Sequence, residues 1–118
     1  MSKKIFRIVS TVVVLSLFLF IFAGCTAIDE VNKMKSKGYQ QKGFIEYMHD
    51  YKAWKVTVVQ KDSEGKIVEE VTIYKCTSIQ AASTFYDFHK NLIDKNNIIE
   101  KKFDKVYIGT KNAVKAAV

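Results

Sequence analysis

The sequence predicts an α+β fold: one antiparallel sheet of about five strands with helices packed on one face, in the order αβββαββα. Three observations lead there. Residues 54–75 hold two strand-like segments around a short polar loop, the pattern of an antiparallel hairpin. Residues 27–37 and 78–95 carry apolar residues at three- and four-residue spacing, the pattern of helices lying on a sheet. Short apolar segments after residue 98 are punctuated by turn residues. The chain has no Pro and no linker rich in Gly or Ser, so nothing marks a second domain.

Each element has its own local reason. Residues 27–37 read as a helix with Ile28, Val31 and Met34 as apolar marks; Asp29 and Glu30 near its start and Lys33, Lys35 and Lys37 near its end complement the helix dipole. Gly38 then supplies a left-handed stop. Phe44 to Met48 is an apolar, aromatic strand, followed by a turn at His49, Asp50, Tyr51 and Lys52. In residues 54–60, Trp54, Val56 and Val58 fall on one face and Lys55 and Thr57 on the other, as in a half-buried strand. Asp62, Ser63 and Gly65 make a turn, and residues 67–75 return with Ile67, Val71 and Ile73 inward, a row that Glu69 interrupts. Thr77 or Ser78 caps a second helix running to about Lys95, with Ala81, Ala82, Phe85, Phe88, Leu92 and Ile93 as its apolar face. Residues 98–103 and 106–108 are short strands around Asp104 and Lys105. Gly109 closes the second, and Thr110 caps a last helix over residues 111–117.

The first 25 residues carry a different kind of information. Lys3, Lys4 and Arg7 precede an apolar run from Ile8 to Phe22, which ends in Ala23-Gly24-Cys25. A basic start, an apolar stretch and small residues at the cut site describe an export signal. Phe22-Ala23-Gly24-Cys25 resembles the lipobox of bacterial lipoproteins, with Phe22 where that family usually has Leu, Val or Ile. The resemblance covers residues 1–25. It implies a signal peptide over residues 1–24, a diacylglyceryl group on the Cys25 thiol, and attachment to the outer face of the cell membrane. The organisation is then signal (1–24), short tether (25–29) and one small α+β domain (30–118), the last tether residues overlapping the start of the first helix. Read instead as an uncleaved anchor, residues 5–23 approach the roughly 20 residues that a spanning helix needs, provided Arg7 snorkels. The small-small-Cys ending then has no role.

Charge and cysteine count narrow the function. Loss of Lys3, Lys4 and Arg7, with no acid in the first 24 residues, lowers the formal charge from +7 to +4. The remaining lysines are scattered among acids rather than clustered, so nucleic acid is not expected as a partner. With Cys25 carrying lipid, Cys76 has no partner for an internal disulfide and reads as a small buried residue at a strand end.

The sequence offers no catalytic set. His49 and His89 lack metal-ligand spacing with each other or with the cysteines, and no Gly-rich phosphate loop is present. A Cys76–His89 nucleophilic pair is conceivable on residue type, but nothing local supports it. Gly109-Thr110 before a helix offers a helix N-terminus to an anion, or simply a strand end and a cap. No catalytic residue, metal or cofactor is therefore expected. The aromatic run Tyr39, Phe44, Tyr47, Tyr51, Trp54 is dense. Phe44 and Trp54 are expected to help fill the core. Tyr47, Tyr51 and Trp54 form the candidate binding surface, because Tyr and Trp combine apolar area with a polar tip. The expected role is a lipid-anchored, non-enzymatic binding module that contacts an envelope protein or surface polymer. The alternative is a small-ligand binder or accessory subunit of a membrane system, which a cleft at Tyr47, Tyr51 and Trp54 would favour.

Overall fold

The computed structural model describes residues 27–118; Cys25 and the expected export segment lie outside them. Helix α1 covers residues 27–35, so it already includes part of the expected tether. Strands β1 (Gln40–Met48), β2 (Ala53–Lys61) and β3 (Ile67–Cys76) follow, then helix α2 (Ile79–His89), strands β4 (Ile98–Lys102) and β5 (Lys105–Gly109), and helix α3 (Lys111–Ala117). The sheet order is β1-β2-β3-β5-β4, with every neighbouring pair antiparallel. The class and element order match the sequence reading.

The placement of all helices on one face does not hold. Residues paired across the ladder share a face, which separates two cores. Val56, Ile73 and Tyr107 align across β2, β3 and β5, and they pack with Val31 and Met34 of α1 and with Ala113, Val114 and Ala117 of α3. Ala53, Cys76 and Val106 face the other way and pack with Ala82 and Phe85 of α2. The sheet is therefore sandwiched, with α1 and α3 on one side and α2 on the other. The cause is in β5, where the consecutive residues Val106 and Tyr107 are both buried. A strand covered on both faces reads as an apolar run rather than as an alternation.

Local chemistry sets the element ends. Gly38 has φ +90°; its N–H donates to Lys35 O at 3.1 Å, and Tyr39 N–H donates to Met34 O at 3.0 Å. This is a Schellman stop, and the accompanying contact is made by Met34 and Tyr39, both buried in the α1/α3 core. The buried face of α1 is Ala27, Glu30, Val31 and Met34, while Ile28 turns to solvent. In the β2–β3 turn, Asp62 Oδ1 accepts from the N–H groups of Glu64 and Lys66 at 2.9 Å each. A Cβ on Gly109 would lie 2.6 Å from Val71 Cα and closer still to Glu70 O, so β3 and β5 need glycine there.

Two further expectations are corrected. Phe44 is 85% exposed rather than core. The β1–β2 register passes from Lys42↔Thr57 to Glu46↔Lys55, so four steps on β1 face two on β2, and the bulge throws Gly43-Phe44 outward. Helix α2 stops at His89, not Lys95. Only Ala82 and Phe85 are buried in it; Phe88 and Leu92 are 60% and 67% exposed, so the apolar stripe outruns the sheet surface it could cover.

A charged layer ties α1 to one end of the sheet. Glu30 is buried, and its Oε1 accepts from Lys105 Nζ at 2.5 Å. Lys75 pairs with Asp104. Burial, then repulsion from Lys105, pulls the Lys75 ammonium below its usual range. Burial and the Glu30 carboxylate push the Tyr107 phenol up.

Candidate functional site

The expected surface of Tyr47, Tyr51 and Trp54 is split by the sheet. Tyr47 and Trp54 are register partners with ring centroids 5.2 Å apart, and His49 meets the Tyr47 edge at 4.9 Å. Trp54 pairs with Lys75, on the α1 face. Tyr51 instead lies in the turn after β1 and packs towards α2 on the opposite face. The three residues therefore do not make one platform.

Tyr51 takes part in a cleft instead. A cavity of about 510 Å³ runs between the β1–β2 turn and the first half of α2, with Tyr51, Phe85 and Phe88 as its aromatic lining and Asp50, Lys52 and Gln80 as polar members. That volume lies within the usual range of small-molecule sites. Its walls follow from local backbone choices. Lys52 has φ +51°, which turns the chain sharply into β2. Thr77 N–H donates to Lys52 O at 3.0 Å and binds the turn to the start of α2. Ser78 takes the extended N-cap conformation, and its Oγ accepts from Ala81 N–H at 3.0 Å, which aims the first turn of α2 across the opening.

Phe85 is the centre of the aromatic floor. Its ring meets Tyr51 edge-on at 5.1 Å, Tyr74 at 4.5 Å, and His89 in a stack at 4.0 Å and 20°. His89 also meets Tyr51 at 5.1 Å and Phe88 at 5.0 Å. Its Nδ1 lies 2.9 Å from Phe85 O, so that nitrogen holds the proton and donates it to the carbonyl. Burial, then the nearby Tyr51, pushes the Tyr74 phenol up. The chemistry on offer is an apolar, partly aromatic seat with a short polar rim.

Phe85 and Phe88 were not singled out as cleft residues from the sequence, where both belong to the core stripe. The spacing Ala81-Phe85 with Thr84-Phe88 is the signal: two adjacent helix rows, one reaching the core and the other the cleft. Cys76 is buried beside Ala53, Ala82, Phe85 and Val106. Burial pushes its thiol up to about 11 despite the opposing pull of Lys75, the reverse of what a nucleophile needs. At the start of α3, the Glu69 carboxylate accepts from Thr110 Oγ1 and, at 3.1 Å, from Asn112 Nδ2. The N-terminus that the sequence offered to an external anion thus has a carboxylate of its own, and the interruption at Glu69 in β3 is explained. Among the described residues no group of His, Cys, Asp and Glu has the arrangement of a metal site, and no helix is long and apolar enough to cross a membrane.

Fold and cleft together define a three-layer α+β body with a small, partly aromatic cavity at one end of its sheet. No family model matches the chain, and no curated protein or solved structure matches it.

Proposed function

We propose that this chain is a lipid-anchored envelope protein that works by binding, with the cleft between the β1–β2 turn and α2 as its site. The observation that carries the binding role is the cavity of about 510 Å³ floored by Tyr51, Phe85 and Phe88. Its ligand is a small amphipathic molecule. The apolar or flat part stacks on Phe85 and Phe88, and the polar part meets Asp50, Lys52 and Gln80. A concave, mostly apolar pocket with a few convergent polar groups is the usual form of such a site. The exposed Phe88 supports this reading over a purely structural one, since its contact with His89 leaves most of the ring in water beside the cavity. The high thiol pKa of Cys76 and its burial argue against a thiol enzyme. The anchor is supported by the order of residues around Cys25.

Two measurements test the two halves. Intact mass of membrane-extracted protein is expected to show loss of residues 1–24 and a gain of acyl chains, both abolished by Cys25→Ala; an unmodified full chain refutes the lipid anchor. A photo-crosslinking phenylalanine analogue at position 88, activated in intact cells, is expected to yield an adduct of defined small mass, and the same analogue at Leu92 none. Absence of an adduct at 88, or equal adducts at both, refutes the cleft as the site.

A further inference from the structure

The end of the sheet that carries the cleft is also the end nearest any membrane attachment. Ala27, the first residue that the structure describes, is helical and fully buried. In sequence, Thr26 alone stands between it and Cys25. Two peptide units span about 7 Å at full extension. An acylated Cys25 or an uncleaved apolar segment would each hold Ala27 close to the bilayer surface. The Glu30–Lys105 contact fixes that first helical turn beside the start of β5. The β4–β5 turn, the β1–β2 turn and the start of α2 all lie at this end. The β2–β3 tip lies at the other, nine strand steps along β3, or about 30 Å away.

The two ends differ in chemistry. The β2–β3 turn is Asp62, Ser63, Glu64, Gly65 and Lys66, with no aromatic residue, and the exposed Ile67 and Val68 follow it on the edge of β3. At the opposite end Phe103 occupies the two-residue β4–β5 turn at φ +56° and is 69% exposed. A bulky side chain in that backbone region is unfavourable and rare. Ile79 opens α2 and is exposed, as is Ile28 on the first turn of α1. Three separate elements thus project apolar side chains from one end.

We infer that the body sits end-on on the bilayer, with Phe103, Ile79 and Ile28 in the boundary between headgroups and acyl chains. This inference rests on the membrane attachment proposed above, but not on which anchor provides it. Apolar side chains in that boundary add affinity in proportion to the area they bury. The seated body brings Tyr51, Lys52 and the N-terminus of α2 to headgroup level, so the cleft takes its ligand from the membrane surface rather than from bulk solution.

The test uses the full chain, extracted from membranes and reconstituted in phosphatidylcholine–phosphatidylglycerol vesicles with brominated acyl chains. A thiol-reactive fluorophore is placed at Phe103→Cys, and in separate preparations at Ile79→Cys and Ser63→Cys. The native chain, treated alike, measures any background from Cys25; Cys76 is buried and does not compete. Bromolipid is expected to quench the labels at 103 and 79 several-fold more than the label at 63. Because all three positions are exposed, folding does not limit the comparison. Equal quenching at the three positions in vesicle-bound protein overturns the end-on seat and leaves the attachment standing. Recovery of the chain in the soluble fraction, without acyl mass, overturns both.

Discussion

Replacing Lys105 by Met isolates the contact that fixes α1, the helix nearest Cys25, to the sheet. Lys105 Nζ lies 2.5 Å from Glu30 Oε1, and the two side chains are 24% and 9% exposed. Both are far enough from water that solvent screening is weak. Removing one partner of a buried pair typically costs 3–5 kcal/mol, because the other charge stays buried. Here Lys105 keeps some contact with water and Lys75 stands near Glu30, so about 2–3 kcal/mol is expected for Lys105→Met. That is a large share of the 5–15 kcal/mol that holds an ordinary domain together. The double variant Glu30→Met/Lys105→Met removes both charges and should lie within about 1 kcal/mol of the native chain, since apolar replacement of a whole buried pair is often neutral. Guanidinium unfolding of the detergent-solubilised chain, followed by fluorescence of the single tryptophan, Trp54, reads both values. A single variant as stable as the native chain refutes the reasoning. So does a double variant as unstable as the single one, which would mean that lost packing rather than a stranded charge sets the cost.

Three further outcomes follow from particular residues. Phe85→Ala should cost about 3–5 kcal/mol, because it removes the centre of the α2 core, whereas Phe44→Ala at the β1 bulge should stay within about 0.5 kcal/mol; denaturant midpoints compare them. Gly109→Ala should lose about 2–3 kcal/mol or more, since its Cβ meets β3 backbone that has no free side chain to move, and thermal unfolding measures it. The Cys76 thiol, ordinarily near 9.0, is held up to about 11 in the fold. Between those values the unfolded chain has lost a proton that the folded chain keeps, so this group's contribution is intact below pH 9 and falls as pH rises towards 11. Unfolding titrations from pH 8 to 11 should show a steeper decline in the native chain than in Cys76→Ala, and parallel declines would contradict the burial argument.

The contrast between Phe44 and Phe85 shows where sequence reasoning stops. Both are aromatic residues in apolar surroundings, and periodicity assigns both to the core. Phe85 is core because the β3–β5 surface lies beneath it. Phe44 is outside because a register shift between two strands places it in a bulge, and register is a property of the pair. The binding surface failed in the same way. Tyr47, Tyr51 and Trp54 are close in sequence, but the turn at residues 49–52 sends Tyr51 to one face and leaves the other two on the opposite one. Phe88 and His89, 37 and 38 residues beyond Tyr51, join it only because Thr77 N–H bonds Lys52 O and lays α2 beside that turn.

What the sequence determined alone was local: the Gly38 stop, a helix cap at Thr77 or Ser78, the Asp62 turn, the hairpin of β2 and β3, and the order of the eight described elements. These rest on interactions within a few residues, where the chain has little choice. Which face each helix covers was decided only in three dimensions. β5 is apolar on both sides, and an apolar run states that a strand is covered twice without naming the helix on either side. The cleft, the buried Glu30–Lys105 pair and the need for glycine at position 109 belong to that second level. Each depends on the distance between segments far apart in the chain, and such distances are fixed when the two cores close.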